Sequence, residues 1–264
     1  MTDGPDQCLR KTARETPLLY HWGGTHDPLP IQSVRAVGRA PALAIDDEAP
    51  PWIMTGPPGE PFDFCAHVRR LCTDIAARCT ELAHVRAERV LFAFTQARNG
   101  RAHGLQARVT PLRFHGGALY RRHRGTRYQV QRLFIHGREV LYLMTFCLPR
   151  FLNQAFDDKF VTLFHELFHI GPRFDGDLRR HNGRYAVHSC SQRRYDEHMA
   201  GLARAYLASS PDPDLHAFLR LNFGQLRHRH GSIVGAVIPR PKLVPVEDGE
   251  DAAAEVVHAA LRHP

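Results

Sequence analysis

From Phe156 to Ile170 the apolar residues recur in steps of four and three: Phe156, Phe160, Leu163, Leu167 and Ile170. At 100° per residue these positions fall within about 40° of one line, which predicts a helix with a buried face over residues 153–170. Phe164 and Phe168 add a second apolar flank. The helix is thus covered around most of its circumference and opens where His165 and His169 project, roughly 140–180° from the main stripe. Upstream, Phe64, Val68, Leu71, Ile75 and Leu82 predict an amphipathic helix over residues 61–86. Four β-rich runs follow, at 89–96, 105–114, 127–135 and 139–147, the last two joined by a hairpin turn at His136-Gly137-Arg138. In the fourth, Val140, Tyr142, Met144 and Phe146 alternate with Leu141, Leu143 and Cys147, so both faces read as covered. Further helices are expected at 192–208 and 215–227, and a returning strand at 232–238.

The open side of the 153–170 helix carries His165-Glu166-Leu167-Phe168-His169. Residues i and i+4 project from the same helix face, so the two imidazoles can clamp one ion, with Glu166 placed to take a proton from a water beside it. Eighteen histidines make the bare pattern less informative than usual, yet chance still gives only about 0.05 occurrences in such a chain. The bland alternative is two hydrogen-bonded histidines on an ordinary helix. Zinc needs a third protein ligand, and the fourth position is left for water. Spacing alone leaves Asp175, Asp177, His181, His188 and Glu197 open, with Cys190 a remoter choice. A helix, a small sheet and then an H-E-x-x-H helix predict an α+β fold. The expectation is a compact zincin-like domain whose small, mostly antiparallel sheet packs on the active-site helix, a gross plan shared by SprT-like proteases. The 139–147 strand is a candidate edge for pairing an extended peptide substrate, an interior position being the alternative.

The run from His165 through Ile170, Pro172 and Phe174-Asp175-Gly176-Asp177-Leu178-Arg179-Arg180, then Gly183-Arg184, His188, Ser191 and Tyr195-Asp196, resembles a family of bacterial and phage metallopeptidases. The likeness extends through residues 90–98, 104–114 and 142–152 and into Pro239-Arg240-Pro241, about residues 88–245 in all. It implies a zincin-type hydrolase, and it implies His188 as third ligand, because that position is the recurring histidine of the pattern. Asp175 is then second, as ligand or as the partner orienting a ligand imidazole. His181, whose position can be apolar in the pattern, comes third.

On this reading Zn²⁺ is held by His165, His169 and His188, and Glu166 is general base in peptide hydrolysis. Tyr195, Arg184 and Tyr185 are the nearest donors for the oxyanion. Two rival classes remain: a nucleic-acid-associated protein whose metal is structural, and a regulatory module with weak or latent proteolysis.

Composition refines this only modestly. The chain has 264 residues and a net charge of +8. That balance suits an acidic partner, but only three basic residues are lysine, so the arginine bias reads first as a solvated basic face, with nucleic acid a lesser expectation. Six cysteines form no C-x-x-C pair, and Cys65, Cys72 and Cys79 share one helical stripe as small buried residues. His228 and His230 read as surface rather than a second metal site. No leader-like or membrane-spanning apolar run occurs, so a reducing cytoplasm is expected, with no membrane partner. Residues 1–60 hold nine of the 19 prolines and read as an irregular arm, with Trp22 and Trp52 available to pin it. The domain spans 61–245, and 246–264 is an acidic, alanine-rich tail.

Overall fold

The structure, a computed structural model, describes residues 17–22, 29, 31–34, 55–98, 104–180 and 192–246. In chain order the elements are β1 (Leu19–Trp22), β2 (Ile31–Ser33), β3 (Phe62–Asp63), α1 (Phe64–Arg78), β4 (Val90–Gln96), β5 (Ala107–Pro111), β6 (Tyr120–His123) and β7 (Thr126–Val130). Next come β8 (Arg132–Ile135), β9 (Arg138–Val140), β10 (Tyr142–Leu148), α2 (Phe156–Phe168), α3 (Gln192–Ala208), α4 (Pro213–His216), α5 (Phe223–His230), β11 (Ile233–Ala236) and β12 (Leu243–Val246). The class is α+β, as the sequence predicts.

In place of the single small sheet expected from the sequence, the described residues form four three-stranded sheets, ordered β1-β8-β9, β4-β10-β5, β2-β11-β3 and β12-β7-β6. Most pairings are antiparallel, but the longest, β4 with β10, is parallel. Two predicted strands split because single residues change partner. The Gln131 amide donates to Lys242 O, separating β7 from β8. Leu141 donates to Arg89 O and accepts from Leu112 N, so the chain leaves β8 at β9 and joins β4 and β5 as β10. The expected 139–147 edge strand is therefore corrected. Its main part, β10, lies between β4 and β5, with all seven residues buried, and β4 and β5 are the outer strands among the described residues.

This central sheet separates two cores. Phe92, Phe94, Val109, Met144 and Phe146 face α1, α2 and α3 with Phe64, Leu71, Phe160, Leu163 and Met199. Leu91, Ala93 and Leu143 face Leu133 and Val140, and there Trp22 packs. The α1 helix is shorter than predicted. Asp63 caps it by accepting from Ala66 N, and it stops at Cys79, followed by short 3-10 turns. The predicted 215–227 helix is broken as well. Asn222 and Gln225 form a capping box that starts α5, and the buried Lys159 amine takes the carbonyls of Leu219 and Leu221 that a continuous helix would use. Cys72 is buried and Cys65 and Cys79 are half-buried against the first core, as their stripe predicts. His230 departs from expectation: it is 2% exposed and lies between Thr55 Oγ1 and Glu60 O, so it is a core residue. Trp52 lies outside the described residues, as does the tail beyond Val246.

Candidate metal centre

The phase of α2 is as predicted. Phe160, Leu163, Phe164, Leu167 and Ile170 are fully buried. His165 and His169, the latter the C-cap whose N–H donates to His165 O, stand on the remaining side. Their ring centroids are 4.5 Å apart at an interplanar angle of 81°, and imidazole nitrogens are donors that suit a borderline cation such as Zn²⁺. The pair is less open than the phase alone suggests, because α3 packs over it. Tyr195 is 5% exposed, and its ring lies 4.8 Å from that of His165 and is stacked 5.9 Å from that of His169.

Glu166 is 7% exposed, on the side of α2 that meets β5. Val109, turning its N–H away from β10, donates to Glu166 Oε2 over 2.7 Å. Burial lifts the Glu166 carboxyl to about 7, although the Val109 N–H and Arg108 oppose the shift. Burial and the neighbouring Glu166 charge also raise the Tyr195 phenol, which holds it protonated as a donor.

The chain after α2 turns back onto the helix end. Gly171 N donates to Asp177 O, Arg179 N to His169 O and Arg179 Nε to Phe168 O, while the Arg179 guanidinium lies 4.0 Å over the Phe168 ring. Tyr142 Oη, on β10, donates to Asp177 O and accepts from Gly176 N. The Asp177 carboxylate accepts from Gly116 N, Leu178 N and Arg180, and His115 Nδ1 is 3.2 Å away. Asp175 accepts from Asp177 N and pairs with Arg173. Both aspartates are thus engaged in shaping the loop.

Among the described residues no three His, Cys, Asp or Glu side chains converge as a complete metal site. Asp175, Asp177 and the exposed Glu197 therefore do not complete one with His165 and His169. His188, His181, Cys190, Arg184 and Tyr185 lie outside the described residues. One residue the sequence reading overlooked is Asp196, whose Oδ1 is 3.8 Å from His165 Nδ1. At that distance the carboxylate is an electrostatic neighbour of the imidazole rather than its hydrogen-bond partner. Its only sequence signal was its place beside Tyr195 in the resembling motif. Val109 was missed for a different reason, since it acts through its backbone N–H.

No family model, curated protein or solved structure matches this chain.

Proposed function

We propose that the protein is a zinc-dependent metallopeptidase whose centre is His165, His169 and a third ligand from 181–191, His188 first. The observation that carries this reading is the joint placement on α2 of two perpendicular imidazoles and a buried carboxylate tied to the edge of a sheet. A bound divalent ion would supply Lewis acidity to a scissile carbonyl and to the attacking water.

The rest of the chemistry belongs to this chain. Glu166 receives the proton of the attacking water and passes it to the leaving amine. A carboxyl near neutrality can do both, and only Oε2 is engaged by Val109. Tyr195, protonated and against both imidazole rings, donates to the oxyanion that forms at the carbonyl. Asp196, 3.8 Å from His165 Nδ1, adds negative charge beside that imidazole. The outer edge of β5, which runs past Glu166, is where an extended peptide would lie.

The deciding experiment is Glu166→Gln. Metal content should stay at the wild-type level while peptidase turnover falls by at least about 10²-fold, the scale of general-base removal. Full activity in that variant would end the assignment.

A further inference from the structure

The outward main-chain groups of the two outer strands, β4 and β5, fare differently. On β5 the outward N–H of Val109 is taken by Glu166. On β4 the ladder fixes which residues face outward. Ala97 N donates to Leu148 O, and Phe92 stands opposite Met144, so Leu91, Ala93 and Thr95 address β10. Phe92 turns its N–H and C=O to the other side, where neither has a hydrogen-bond partner among the described residues. The residue is 4% exposed, and a buried main-chain pair left unmatched is rare.

A cleft of about 550 Å³ lies along this edge, a volume within the usual range for binding sites. Val90, Leu91 and Phe92 all line it, although the Leu91 and Phe92 side chains belong to different cores. What the three residues share with one cleft is the edge of their strand. Ala66 of α1, Ala236 of β11 and Ile31 of β2 add apolar wall, and Ile31 is 60% exposed. The rim sets Arg69, His136 and Arg138 against Glu88 and Asp63, the latter engaged in capping α1. Charges of both signs select no simple ion. The cleft offers a main-chain donor and acceptor between apolar walls. Strand β11 ends the open stretch, since a Cβ added at Gly235 would stand 3.0 Å from the Phe94 ring. Residues 90–92 remain, a length of about 10 Å.

We infer that the outer edge of β4 docks an extended apolar peptide segment of a partner protein, which adds to the central sheet as a short strand. The main chain of such a segment matches the Phe92 N–H and C=O, and alternate side chains enter the cleft beside Ile31. The β5 edge beside Glu166 lies across the sheet, so docking on β4 leaves it free. The inference does not depend on the metal centre.

The test is fluorescence anisotropy with labelled acetyl-Ser-X-Thr-X-Ser-amide peptides, X being Val, Ile, Leu or Phe. The full chain carries Glu166→Gln, so that hydrolysis of the probe is not read as weak binding. At least one peptide should bind, slowing amide exchange at residues 90–92 and leaving 107–111 as in the free chain. Two N-methylated analogues of that peptide, one at both X amides and one at the Thr amide, cover the two faces of its main chain. One of them should bind at least about 10-fold more weakly. Ile31→Ser, at an exposed position, should weaken the parent peptide roughly 5-fold with unchanged thermal unfolding. No binding by any peptide, or equal affinity of parent and both analogues, would overturn the inference. So would protection at 107–111 in place of 90–92. Protection of 90–92 that rises with protein concentration in the absence of peptide would assign the edge to a second copy of the chain instead.

Discussion

The Val109 amide donates to the Glu166 carboxylate across 2.7 Å, so the edge strand of the central sheet and the candidate metal helix are joined through the residue proposed as general base. Glu166→Gln keeps an oxygen acceptor for that N–H, whereas Glu166→Leu leaves it buried and unpaired. The Leu variant should lose about 1–3 kcal/mol of stability relative to Gln. Urea unfolding of the two metal-free variants checks this, and equal midpoints would mean that the tie contributes nothing.

His188→Ala and His181→Ala separate the remaining ligand choices, with Asp175→Ala as the control for the loop. Purified His188→Ala should contain little zinc, and the other two should stay near wild type, measured by elemental analysis. Zinc retained in His188→Ala but lost from His181→Ala would transfer the ligand role to His181.

Tyr142→Phe removes the hydroxyl that bridges Gly176 N and Asp177 O at a fully buried position. The expected cost is about 1–3 kcal/mol, with faster amide exchange confined to residues 171–180. Uniform exchange across the chain would argue against a local clamp.

Asp177 gives an acid-side signature. Burial pushes its carboxyl up, but Arg180 and the amides of Gly116 and Leu178 outweigh it, and the folded value lies below the ordinary one. The stabilisation is present above the unfolded value of about 3.9 and is lost as pH falls through the lower folded value. Asp177→Asn should therefore be less stable at neutral pH and lose less stability on acidification. Parallel pH profiles for the two proteins would show that Asp177 is not the titrating link.

Lys159 acts on the other side of neutrality. Burial lowers its amine to about 7, while its Nζ donates to Leu219 O and Leu221 O. Between about 7 and the unfolded value of about 10.4 the unfolded chain holds the proton and the folded chain does not, so stability rises with pH. Lys159→Met, which orphans both carbonyls, should be destabilised by about 2–4 kcal/mol, and the deficit should widen from pH 7 to pH 9. A pH-independent deficit would place the amine's titration outside that window.

Helix α2 was legible because burial and period coincide along it, and α3 matches its predicted bounds at Gln192–Ala208. The strand order was not legible. Gln131 and Leu141 each read as ordinary members of a continuous strand, and what breaks the runs is a distant carbonyl, Lys242 O or Arg89 O. Alternation tells which face of a strand is covered but not which edge is paired. That is why 139–147 was open to an edge role that belongs to β4 and β5. The site followed the same division. Side chains with a characteristic spacing, His165, Glu166 and His169, stood out, while Val109 contributes through a peptide group and Asp196 through packing of α3 on α2.

Arg179 returns its amide to His169 O, and Tyr195, near the start of α3, lies against His165. The described residues Arg179 and Tyr195, on either side of 181–191 in sequence, therefore both lie beside the two histidines. On the proposed reading, a third ligand from the eleven residues 181–191 would meet the histidines at an effective concentration of order millimolar. Under that proposal, metal uptake would be governed by the chemistry of the third donor rather than by the search for it.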